Sequence, residues 1–69
     1  MWYNSVMNIP ADDFILLSVV NTKLRDEYPS LTAFCDEEEV SAQEIVLRLA
    51  KIGYKYDEDG NSFIYGFNR

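Results

Sequence analysis

Histidine does not occur in this 69-residue chain, and Cys35 is its only cysteine. The first absence removes the commonest side chain for proton transfer near neutral pH and for metal ligation. The second removes any disulfide within the chain and any cysteine-built structural zinc site. Cations are scarce as well: six Lys and Arg stand against twelve Asp and Glu, a formal net charge of −6. A field of that sign repels phosphate backbones and makes nucleic acid an unlikely partner. No run of about 18 apolar residues is present, so no membrane span is expected. The first residues show no basic segment followed by an apolar core, so no secretory signal is expected, and a lone thiol then suits a reducing cytoplasm.

Sixty-nine residues make one domain. A chain this short buries only roughly 60% of its unfolded surface and is marginally stable unless reinforced. Disulfides, metals and partner chains are the usual reinforcements. The first two lack their donors here, which leaves oligomerisation, and 48% hydrophobic residues is generous for so small a chain. No cofactor is expected. The expected partner is a second copy or another protein.

What the chain does contain is a well-punctuated set of elements. Val40 to Tyr56, VSAQEIVLRLAKIGYKY, is the clearest. Ser41 and Glu44 have the spacing of a capping box, and Val40 with Ile45 that of a hydrophobic staple. Ala42, Ile45, Leu49 and Ile52 recur at helical spacing and predict the buried face. Gly53 follows where a left-handed C-cap favours glycine. Gln43, Val46, Leu47 and Ala50 share another face, of which only Gln43 is polar. Either a neighbouring helix or the N-terminal tail covers it, or it is a surface for a partner.

Upstream, residues 1–8 read as a tail, or as a strand added to a later hairpin, and the domain proper as 9–67. Asp12 is the expected N-cap of a helix from about Asp13 to about Tyr28. Phe14, Leu17, Val20, Leu24 and Tyr28 form its predicted stripe. Ile15 and Val19 lie on the other side, so its first half is apolar nearly all round, as in a central or interfacial helix. Asn21 projects from the stripe. A buried amide must be hydrogen-bonded, so Asn21 either bonds a nearby turn backbone or serves as a specificity device or polar ligand contact. Pro29 stops this helix, and Ser30 caps a second with Leu31, Phe34 and Cys35 on its apolar face. Asp36 to Glu39 is a charge run, expected as a solvated face, with a basic partner or a weak divalent-cation site as alternatives.

After Gly53 the period becomes two. Asp59-Gly60 is a two-residue hairpin signal, which sets Tyr56 opposite Phe63 and Tyr54 opposite Tyr65, four rings on the side that covers the helices. The class is therefore mainly α with a C-terminal β-hairpin (α+β): three helices plus hairpin, winged-helix-like. Asp57, Asp59 and Asn61 do not make an EF-hand, whose glycine and glutamate positions fall here on Ser62 and Asn68.

The residues Ile9-Pro10, Leu16-Leu17-Ser18, Val20-Asn21-Thr22-Lys23-Leu24-Arg25-Asp26, Tyr28, Ser30-Leu31, Cys35, Leu49, Gly53-Tyr54, Tyr56-Asp57 and Asn61-x-Phe63 resemble a family of short bacterial proteins, domain of unknown function 4250. The resemblance covers about Met7 to Phe63. It implies a small cytosolic bacterial protein and supplies no activity.

Element order alone also suggests a winged-helix transcriptional regulator. A recognition helix reads base edges through outward Arg, Lys, Asn or Gln. Here that face offers Gln43, Val46, Leu47 and Ala50, and the wing carries Asp57, Glu58 and Asp59. The residues favour a self-associating interaction module instead, with Ile15, Val19, Val46, Leu47 and Ala50 as its candidate interface. No catalytic, cofactor or metal residues are assigned, since Cys35 has no visible base and no motif pairs two carboxylates.

Overall fold

A computed structural model describes residues 9–66. Three helices, α1 (Asp13–Asp26), α2 (Leu31–Glu38) and α3 (Ala42–Ala50), precede an antiparallel hairpin of β1 (Tyr54–Asp57) and β2 (Ser62–Tyr65). This is the α+β order that the residue pattern predicts. The expected tail or added strand at 1–8, and the domain limit at Phe67, lie outside the described residues. Among the described residues, no helix is long and apolar enough to cross a membrane.

Each helix starts at the cap its sequence marks. The Asp12 carboxylate accepts from the N–H groups of Phe14 at 2.8 Å and Ile15 at 3.0 Å. Ser30 Oγ accepts from Ala33 N–H at 3.1 Å, and Ser41 Oγ from Glu44 N–H at 3.2 Å. These bonds satisfy donors that a helix start leaves without intrahelical partners. The ends are less regular. α1 stops at Asp26, two residues short of Tyr28. α2 ends on Glu39 in the left-handed region, φ 59°. Beyond α3, Gly53 takes φ 88° and donates to Ala50 O at 3.0 Å. The left-handed backbone favours glycine there, and a Cβ would lie 2.7 Å from Cε1 of the exposed Tyr65 ring, which would have to swing aside.

One core draws on every helix and on β2: Leu16, Val20 and Leu24 from α1, Leu31, Phe34 and Cys35 from α2, Ile45 and Leu49 from α3, and Phe63. Two of the predicted stripes need correction. On α1 the buried row is Leu16–Val20–Leu24; Phe14 is 61% exposed, while Leu17 and Tyr28 are half-buried. Apolar residues surround the first half of α1, so periodicity left several arcs open, and packing selected the i, i+4 row. On α3, Ala42 is exposed, because the core reaches only Ile45, Leu49 and the half-buried Ile52.

The hairpin register is Tyr54↔Tyr65, Lys55↔Ile64, Tyr56↔Phe63 and Asp57↔Ser62. The two aromatic pairings match expectation. The turn is longer than two residues: the ladder closes at Asp57 and Ser62, leaving residues 58–61 as the loop, with Asn61 at φ 51°. Asp57 Oδ2 accepts the Gly60 N–H at 3.1 Å and holds that loop. Phe63 is buried and Tyr54 and Tyr56 pack partly against the core, but Tyr65 is exposed, so three of the four rings cover the helices.

Candidate functional site

Polar side chains build the joints between the elements, and they must be assigned before any surface is read as a site. Asn21 Nδ2 donates to Phe63 O at 3.1 Å, and Asn21 Oδ1 accepts the Phe63 N–H at 2.7 Å. One side-chain amide thus pairs with both backbone groups of a buried β2 residue, as a neighbouring strand would. The bond is structural, but its partner is a β2 residue and not the expected turn backbone, and Asn21 also lines an open groove with Ser18, Thr22, Arg25 and Ser62.

Asn61 makes the second joint, which sequence reasoning missed. Its Nδ2 donates to the carbonyls of Leu24 at 3.0 Å and Tyr28 at 2.9 Å, at the end of α1. Its Oδ1 accepts the Tyr56 hydroxyl at 2.6 Å, and that hydroxyl accepts the Leu31 N–H at 3.2 Å, at the start of α2. The hairpin, through Asn61 in its loop and Tyr56 on β1, therefore supplies partners for orphan groups at two helix ends. Asn tolerates the left-handed backbone this position needs. The Asp59-Gly60 turn signal marked the loop, but no local pattern identifies which carbonyls Asn61 reaches.

Between α1 and α2 lies a buried carboxylate. Glu38 is only 7% exposed, a correction to the uniformly solvated charge run; Asp36, Glu37 and Glu39 are exposed as expected. The Tyr28 hydroxyl donates to Glu38 Oε2 at 2.6 Å, and Lys23 Nζ stands 3.8 Å away while also pairing with Glu27 at 3.3 Å. The hydrogen bond to Glu38, then burial, then nearby carboxylates push the Tyr28 phenol up to about 12. Buried carboxylates of this kind are held by partners, and this one has them within the fold. The Cys35 thiol is buried and pushed up, first by desolvation and then by Asp36, the opposite of an activated nucleophile.

At the third joint, Arg48 Nε donates to Asp13 Oδ1 at 2.7 Å, and its Nη2 donates to Pro10 O at 2.7 Å and Ala11 O at 3.0 Å. This fork ties α3 to the entry of α1. The strongest cation on α3 is thereby engaged inside the protomer.

With the joints assigned, what α3 shows outward is apolar. Leu47 is 58% exposed and Val46 38%, and Ala50 is exposed. Leu47 lies on the side of α3 away from Ile45 and Leu49. It is the one apolar residue lining a shallow open depression of about 550 Å³ with Ser41, Gln43, Glu44, Arg48 and Lys51. On α1, Ile15 is 55% exposed, whereas Val19 is half-buried. Val46, Leu47 and Ala50 sit together on one helix, and Ile15 and Val19 on another. At the hairpin tip, Glu58 and Asp59 are exposed.

Comparison with known proteins gives one finding. A family model described as Domain of unknown function (DUF4250) matches residues 10–63. No curated protein and no solved structure matches the chain.

Proposed function

We propose an interaction role for this chain, which belongs to the family described as Domain of unknown function (DUF4250), a description that assigns no activity. On this reading it is a small cytoplasmic module that associates with itself through the outward face of α3. The exposure of Leu47, at 58%, carries the proposal. A leucine opposite the core face, with Val46 and Ala50 beside it, loses contact with water only if another surface covers it. Fully covering a leucine contributes about 1.5–3 kcal/mol. A domain of this size with a single cysteine and no histidine gains from such an addition.

The electrostatics support a protein partner over DNA. Net charge is −6. Arg48 is bound to Asp13 and to two backbone carbonyls, and the hairpin tip presents Glu58 and Asp59. On the outward face of α3, Gln43 is the one side chain of the kind that reads base edges, and Val46, Leu47 and Ala50 beside it are apolar. Catalysis plays no part in the proposal, since the one thiol is buried and held protonated.

Light scattering across a micromolar concentration series tests this reading. The wild type should exceed monomer mass, and Leu47→Glu should return it to monomer with an unchanged far-UV circular dichroism spectrum. A wild type that stays monomeric at the highest concentration sinks the proposal. Retarded migration of mixed duplex DNA at low salt would favour a regulator instead.

A further inference from the structure

We propose that two copies pair through α3, antiparallel about a two-fold axis, with Glu44 of each chain facing Lys51 of the other and the two Leu47 side chains in contact at the centre. This rests on the self-association reading above and specifies its geometry.

Glu44, Leu47, Arg48 and Lys51 stand at i, i+3, i+4 and i+7, one row along a helix. The same four residues line the depression on α3. Glu44 and Lys51 are seven residues apart, about 10.5 Å along the axis, and their midpoint falls between Leu47 and Arg48. A two-fold axis at that midpoint sets position 44 against position 51 twice. It also brings the two leucines within about 1.5 Å of the same height. The face is thus complementary to itself, the condition a closed two-fold contact imposes. Parallel pairing would instead set Glu44 against Glu44 and Lys51 against Lys51, repulsive at both ends.

Both charged groups are placed to reach across. Glu44 is exposed. The Lys51 side chain is 69% exposed and only 3.8 Å from Asp13 Oδ2, a carboxylate that Arg48 already holds at 2.7 Å. Ile15 and Val19, on α1, are not needed for this pairing. An interface built on a nine-residue helix is smaller than the standard of about 1,600 Å², which places association in the transient, micromolar class.

Sedimentation equilibrium of the full chain, from about 1 to 500 μM, tests the register because weak interfaces dissociate in that range. Glu44→Lys should weaken dimerisation about tenfold, since two attractive pairs become repulsive. The gap to wild type should narrow at high salt. Glu44→Lys combined with Lys51→Glu should recover most of the loss. Lys51→Glu sets a carboxylate near Asp13, so a thermal melt accompanies each variant, and Glu44→Gln provides a second, milder weakening that leaves Asp13 alone. If Glu44→Lys dimerises like wild type, or the double variant recovers nothing, the register is overturned, while dissociation by Leu47→Glu would still uphold self-association. A monomeric wild type overturns both. Should removal of residues 1–8 then yield a dimer, the chain's own N-terminal segment is what occupies this face.

Discussion

The hairpin side of α1 and the outward side of α3 depart from the usual inside–outside partition in opposite directions. Along α1, polar groups sit at the edge of the core: Asn21, Asn61, Tyr56 and, against α2, Glu38. Along α3, apolar groups face out: Val46, Leu47 and Ala50. The first departure is answered within the chain, because each named polar group has a partner at 2.6–3.2 Å. The second is not answered by the described residues. Polar groups bonded within the protomer are part of how it folds, whereas the apolar exterior of α3 is the face that the proposed self-association uses.

The largest expected effect breaks the first half of that contrast. Asn21→Leu keeps the branched shape and the number of heavy atoms but strands the N–H and C=O of Phe63, a residue only 2% exposed. Each stranded group costs about 1–3 kcal/mol. Since β2 is an edge strand that water can partly reach, a total of about 3 kcal/mol is expected. A domain of this size holds only roughly 3–10 kcal/mol altogether. Urea denaturation should therefore show the midpoint falling by a third or more, in rough proportion. A shift of a few tenths of a kcal/mol would mean that the amide is dispensable and Asn21 is open to another role.

How much of this was readable in advance follows from whether the signal is local. Asp12, Ser30 and Ser41 were recognisable caps because the acceptor lies two or three residues from its donor. The pairing of Tyr56 with Phe63 was recognisable because turn position and a period of two together set register. Leu16 in place of Phe14 was not, since α1 is apolar on several arcs and only the packed neighbours select one. Glu38 was hidden in a charge run, because Tyr28 and Lys23, ten and fifteen residues upstream, become its neighbours only after α1 and α2 dock. The α3 face was recognisable as apolar because Val46, Leu47 and Ala50 fall within one short helix.

A smaller, pH-limited effect sharpens the claim that the buried polar groups are engaged internally. The Tyr28 phenol is raised from about 10 in the unfolded chain to about 12 in the fold, chiefly by its hydrogen bond to Glu38. The protonated form is the one the fold favours, so its contribution is fully present below pH 10 and is lost as pH rises from 10 towards 12. Stability should fall across that window more steeply in wild type than in Tyr28→Phe, which has no phenol to ionise. Denaturation midpoints at pH 9, 10 and 11 compare the slopes. Equal slopes would remove the Tyr28–Glu38 bond from the account.

The smallest effect bears on the exterior half of the contrast. In dilute solution, where any dimer has dissociated, Leu47→Ser should change protomer stability by no more than about 0.5 kcal/mol, as for an exposed site with no structural duty. Leu49, two positions on and 0% exposed, gives the reference: the same change there removes core packing and buries a hydroxyl, at about 3 kcal/mol or more. A near-zero value at Leu47 with lost association at higher concentration identifies a side chain retained for what lies outside the protomer. A cost approaching that of Leu49 would mean that the chain itself covers Leu47, and the exposed face of α3 would then belong to the fold after all.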